Sequence, residues 1–139
     1  LAVSNQHPLS QYRYVEPFQL TDQVLITYPV ERNRLDIFTQ FLTPADVEPA
    51  AIRQAELTPM IVQLVASQRG VTALPNWALT EFLNPASIRT CRFGEHGIWR
   101  TLYATVRCED LQADYVQAFL AQARETCFKS LKGIVAAQP

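Results

Sequence analysis

The chain has 139 residues, 48% of them hydrophobic, which supports one core and leaves little for a second independent one. With 12 basic and 13 acidic side chains the formal net charge is −1, too little positive charge to hold a polyphosphate backbone unaided. No apolar run approaches about 20 residues, so no helix is expected to span a membrane. The three cysteines, Cys91, Cys108 and Cys127, have no CxxC or paired spacing, which favours free thiols in a reducing compartment over a disulfide frame.

Leu1-Ala2-Val3 reads as the end of a strand, and His7-Pro8-Leu9 turns the chain outward. The strand-like opening without an initiator methionine is read as that of a piece of something longer, or of a proteolysis product. Pro17-Phe18-Gln19-Leu20 fits a single turn before Val24-Leu25-Ile26-Thr27-Tyr28, a buried strand stopped by Pro29. Residues 32–42 place Leu35, Phe38, Phe41 and Leu42 on one side and Arg34, Asp36 and Gln40 on another, the pattern of an amphipathic helix. Ala51-Ile52-Arg53-Gln54-Ala55 alternates like a strand.

Residues 58–77 organise the chain. Thr58 is expected to cap a helix with Pro59 at its first position, and Gly70 to end it. Val71-Thr72-Ala73-Leu74 follows as a short buried strand, closed by Pro75 before a new helical start at Asn76-Trp77. A helix running straight into a buried strand is half of a crossover unit and implies a parallel sheet with helices on its faces. Further on, a short helix over residues 78–82 should break at Asn84-Pro85, and Ile88-Arg89-Thr90-Cys91 alternates. Gly94-Glu95-His96-Gly97 is a turn, and residues 98–106 form the longest β-like run. A last helix from about residue 110 carries Val116, Phe119, Leu120, Ala123, Cys127 and Leu131 at helical spacing.

No nucleophile and base are paired anywhere, so the residues give no catalytic site and no enzyme assignment. His7 and His96 sit in turns and read as surface residues rather than metal ligands; Cys91 and Cys127 read as inert core thiols. Glu56, just before a helix start, either complements the helix dipole or meets a ligand ammonium. Thr58 is a cap that, facing a cleft, would also hold an anion, with Pro59 removing one N–H and Met60 and Ile61 supplying others. Arg32 and Arg34 read as solvated charges with a lesser chance of meeting a carboxylate, and Trp77 as core edge or pocket wall.

The order of HPL, a strand ending in Tyr28-Pro29, the ERNRLDIF segment and a Thr-led helix running into RGVTALPNW resembles the effector-binding region of LysR-type transcriptional regulators. Within that family it is similar to the branch that governs methionine biosynthesis, in residues 25–36, in Ala73-Leu74-Pro75-Asn76-Trp77 and in residues 97–104. The resemblance covers essentially the whole chain and implies an α/β, periplasmic-binding-protein-like regulatory lobe with a mixed, mostly parallel sheet flanked by helices. Residues 1–107 would be the second lobe with its two crossover strands, residues 1–3 and 99–107. Residues 108–139 would be a C-terminal helix packing toward a first lobe absent here.

The implied effector is homocysteine, with no other cofactor and no metal. By position it would face Tyr28, Pro29, Val30, Arg32, Glu56, Thr58, Met60 and Trp77. Its carboxylate would lie on the helix N-terminus, its ammonium near Glu56 and its thioalkyl arm against Trp77 or Met60. The family further implies a cytoplasmic activator, a dimer or tetramer when intact, that reaches DNA through an N-terminal winged helix-turn-helix outside this chain. The isolated chain is expected to self-associate through residues 112–131 or the crossover strands. A lobe of an exported solute-binding protein for a small amino acid is the competing assignment.

Overall fold

The strands are short, none longer than four residues among the described residues. In the computed structural model, which describes residues 1–82, 86–131 and 133–137, these are β1 (Ala2–Ser4), β2 (Tyr14–Val15), β3 (Val24–Thr27), β4 (Ala51–Gln54), β5 (Val71–Thr72), β6 (Ile88–Thr90) and β7 (Arg92–Phe93). The helices are α1 (Thr58–Ala66), α2 (Asn76–Leu79) and α3 (Asp114–Ser130). Two compact units result: Leu1–Pro75 with Glu81–Ile98, and Asn76–Thr80 with Trp99–Pro139.

The first unit holds a five-stranded sheet in the order β4-β3-β5-β1-β6. Strand β3 pairs in parallel with β4 on one side and β5 on the other, while β1 runs antiparallel to both β5 and β6. Four strands therefore share a direction and one opposes them, a mixed and mostly parallel sheet. Leu1, Val3, Leu9, Val15, Leu20, Leu25, Phe38, Leu42 and Val71 form its core, with Phe41 meeting Phe93 edge-on at 5.0 Å between ring centroids.

The crossover from β4 through α1 to β5 is as the sequence implies, but both ends of the helix differ. Leu57, extended at φ −110°, is the residue before the first turn and has no polar side chain to cap it; Thr58 and Pro59 open the helix. At the other end the chain leaves the helix at Ser67. Gln68 takes the left-handed conformation at φ 57°, its N–H bonds the Val65 carbonyl, and the Arg69 N–H bonds that of Leu64, both at 2.9 Å. That pair of bonds is a Schellman closure. Gly70 serves a different need: at φ 154° a β-carbon there would lie 2.4 Å from the Val24 carbonyl oxygen, so only glycine lets β5 enter beside β3.

Two other expectations fail for local reasons. The helix over residues 32–42 is broken because Leu35 is extended (φ −106°, ψ 115°), leaving a 3-10 turn at Arg32–Arg34 and a π-helix at Ile37–Leu42. The wider π turn sets Ile37, Phe38, Phe41 and Leu42 toward one side, where all four are buried. Residues 98–106 are not in a strand, and Trp99, Leu102 and Tyr103 are exposed. β propensity alone does not make a strand. The short helix lies earlier than expected, at α2, and the expected break at Asn84-Pro85 is outside the described residues.

In the second unit α3 starts at Asp114, after a 3-10 turn at Cys108–Asp110, and runs for 17 residues. Val116, Leu120, Ala123 and Cys127 make a half-buried stripe at helical spacing, yet none of the helix's residues is fully buried. Tyr115 and Phe119 are each 71% exposed, which leaves the helix two-faced by sequence but without a deep core of its own. Glu125 and Lys129 form an i,i+4 ion pair on its outer side.

Gly70→Ala should lower stability by more than roughly 3 kcal/mol, combining backbone strain with a clash against a strand. Gly94→Ala, at φ 62° with nothing within 4 Å of the added carbon, should cost only about 1 kcal/mol. Urea unfolding of the two variants checks this, and equal losses would remove the Gly70 contact from its assigned role.

Candidate functional site

Parallel strands bring their carboxyl ends to one edge of the sheet, where loops meet and ligands bind in open α/β folds. Here β3 and β4 end side by side: Thr27 is in register with Gln54, and the Ala55 N–H bonds the Thr27 carbonyl at 2.9 Å. Tyr28 leaves one strand tip; Glu56 and Thr58 follow the other. The Pro29 turn fixes the exit of Tyr28, since the Val30 N–H bonds back to the Tyr28 carbonyl at 2.8 Å.

From these tips the Tyr28 phenol oxygen and the Thr58 hydroxyl oxygen approach to 2.6 Å, joining the two loops. Both residues are half-buried, whereas Pro29, Val30, Arg32, Glu56, Met60 and Trp77 are exposed. The Thr58 hydroxyl thus meets a phenol across the sheet edge, and the simple capping role assigned to it falls away because the helix begins with Thr58 itself.

Three residues open α1 before its own hydrogen bonds begin, and Pro59 has no N–H to give. The Ile61 N–H is bonded to the Leu57 carbonyl at 3.0 Å, so it is not a donor for a ligand as the sequence had implied. The donors of this first turn are those of Thr58 and Met60. Glu56 lies exposed two residues before the helix, and Met60 is 55% exposed.

Arg32 is engaged elsewhere. Its Nη2 donates to both Glu48 carboxylate oxygens, at 2.8 and 2.6 Å, and its guanidinium lies 4.2 Å from the centre of the Phe38 ring. Glu48 precedes β4, whereas Glu56 and Thr58 follow it, so the pair ties Arg32 to the segment entering that strand and not to the one leaving it. Trp77 belongs to the second unit, where it is 37% exposed in α2 and its N–H is held by the Asn76 side chain at 2.9 Å.

His7 and Cys91 have structural roles. His7 Nδ1 accepts from the Leu9 N–H at 3.1 Å and its Nε2 faces the Gln23 side-chain oxygen at 3.0 Å, so this imidazole caps a turn. Cys91 is buried, its thiol directed at the Leu9 carbonyl 3.1 Å away, and burial pushes its pKa up, the direction opposite to that of a nucleophile. Among the described residues no group of three or more His, Cys, Asp or Glu side chains could hold a metal ion, and no helix is long and apolar enough to cross a membrane.

Residues 1–128 match the family model of the LysR substrate binding domain. The chain is 36% identical over 124 residues to the HTH-type transcriptional regulator MetR of Escherichia coli (strain K12), an alignment covering 89% of this chain and 38% of that protein. It thus spans about two-fifths of the length of that curated relative. Its fold superimposes on the regulatory domain of MetR, a LysR family regulator from N. meningitidis, with a TM-score of 0.85 at 33% identity, covering 99% of this chain and 63% of the other. The effector binding domain of a BenM variant shares the fold with a TM-score of 0.64 at 18% identity, covering 98% of this chain and 64% of the other. The MetR relative of Escherichia coli is a transcriptional regulator, and the solved domains have the periplasmic-binding-protein-like architecture.

Because the Arg32 and Glu48 side chains are 49% and 67% exposed, their coupling is screened by solvent. A double-mutant cycle of Arg32→Ala and Glu48→Ala should give no more than about 1 kcal/mol of coupling, falling in high salt. A salt-independent coupling several times larger would mean a buried clamp instead.

Proposed function

The chain belongs to the family of LysR substrate-binding domains, and from that membership we propose that it is the second lobe of a regulator of methionine biosynthesis that takes homocysteine as its effector. The similarity to MetR proteins over most of the chain is the observation that carries this reading. In it, residues 1–107 form the lobe and residues 108–139 the helix that leans on a first lobe. DNA is reached through an N-terminal winged helix-turn-helix that is not among these residues. The regulator works in the cytoplasm as a homo-oligomer and performs no catalysis.

The mechanism is a difference in affinity. A small amino acid that binds one arrangement of two lobes better than another shifts the population toward it, and the shift is passed to the DNA-binding domains. On this lobe the effector carboxylate takes the Thr58 hydroxyl and the N–H groups of Thr58 and Met60. The ammonium faces Glu56, and the thioalkyl arm runs along Met60. What supports this placement is the meeting of the Tyr28 and Thr58 hydroxyls at the strand tips, beside the start of a nine-residue helix.

Calorimetric titration of homocysteine, methionine, cysteine and homoserine into a full-length protein carrying this chain should show homocysteine binding most tightly. Thr58→Ala should weaken that binding while operator binding persists in a gel-shift assay. An unaltered effector response in Thr58→Ala removes Thr58 from the site, and a preference for another amino acid corrects the effector. Apart from its first lobe, the chain should self-associate through α3, which sedimentation would register as species heavier than 15.7 kDa.

A further inference from the structure

The hydroxyl pair at the strand tips contains more information than its length. A hydroxyl carries one proton, so of Tyr28 and Thr58 one donates to the other across 2.6 Å. If Thr58 donated, its oxygen would face outward as an acceptor and repel a carboxylate. If Tyr28 donates, the Thr58 oxygen is satisfied from behind and its own proton is left for a ligand. The phenol is the more acidic of the two hydroxyls and therefore the better donor.

Tyr28 is anchored through its backbone. It is half-buried at the end of β3, and the Pro29 turn closes behind it through the 2.8 Å bond from Val30 to its carbonyl. From that backbone its phenol reaches Thr58 Oγ1. A hydroxyl on an unsupported threonine rotates among staggered positions; one that accepts from a phenol has its remaining proton confined to fewer of them.

We propose that Tyr28 is a positioning residue for effector recognition, donating its phenolic proton to Thr58 Oγ1 so that the Thr58 hydroxyl is held as a donor for the effector's carboxylate. This rests on the placement of the carboxylate at Thr58 proposed above and adds to it a residue that acts through another. The pair then selects by polarity as well as shape: a carboxylate receives the outward proton, whereas a cationic group in its place would meet a donor.

The test is a cycle of affinities for homocysteine in the full-length protein, using Tyr28→Phe, Thr58→Ala, Thr58→Ser and the two combinations with Tyr28→Phe. Tyr28→Phe keeps the ring and removes the proton, and should weaken binding roughly 3- to 10-fold in the wild-type and Thr58→Ser backgrounds, the size of one hydrogen bond. In the Thr58→Ala background it should change nothing, since no hydroxyl remains to orient. Unfolding midpoints in the absence of effector separate this from a loss of stability. If Tyr28→Phe binds homocysteine like wild type, or weakens it equally in the Thr58→Ala background, Tyr28 does not act through Thr58 and the inference is overturned. If Thr58→Ala itself binds normally, the placement of the carboxylate fails first, and the inference with it.

Discussion

Strand β3 is the template of the first unit, and its contact with the glycine ahead of β5 sets the geometry of the strand tips. At Gly70 the backbone comes so close to β3 that a side chain would strike the Val24 carbonyl oxygen. With glycine there, Val71 and Thr72 register against Leu25 and Ile26, and the buried Thr72 hydroxyl donates to the Ile26 carbonyl at 2.7 Å. Strand β4 takes its register from the other side of β3, four residues matched to four. Helix α1 connects the two flanking strands, so its start is placed at the same edge at which β3 ends. The meeting of Tyr28 and Thr58 is a consequence of this pairing and does not depend on any deep binding cavity.

The parts legible in the sequence are those where one residue type answers one physical need. Pro29 follows close on the end of β3, whose Leu25 and Ile26 are apolar and buried, whereas the strand expected over residues 71–74 ends at Thr72, before Pro75 is reached. The Thr58-Pro59 start marks the crossover helix to within one residue. What misled was any feature whose meaning depends on a distant neighbour. The spacing of Leu35, Phe38, Phe41 and Leu42 is consistent with an α-helix, yet the extended Leu35 and the π turn give a different winding with much the same buried face. Gly70 is a standard helix terminator by its type, but the terminating conformation is at Gln68, and the glycine is required by β3.

The site shows the same division. Sequence position brought Tyr28 and Thr58 into one candidate set through the family resemblance, since 30 residues separate them and no periodicity links them. That their oxygens touch could be learned only from the fold. Arg32 stood in the same set because it follows the same strand; a carboxylate at Glu48, 16 residues away, claims it. Alternation in residues 98–106 marks side chains suited to a sheet, but a strand is a relation between two backbones, and these residues are not in one.

If the effector carboxylate lies at the strand tips as proposed, the engagement of Arg32 bears on how it would be held. It is the one cation of the candidate set, and its guanidinium already satisfies Glu48 and Phe38. On the proposed placement, then, a carboxylate at the strand tips would be met chiefly by neutral donors, a hydroxyl and the first-turn N–H groups. Such contacts act over hydrogen-bond distance and depend on angle, whereas a charge pair acts over several ångströms and is screened by salt. Recognition by neutral donors gives up long-range attraction and gains discrimination by direction. In the proposed reading this would suit a sensor of one small amino acid among many that carry the same charges, because all of those would be attracted alike by a bare guanidinium and only some could present the carboxylate along the line of the Thr58 proton.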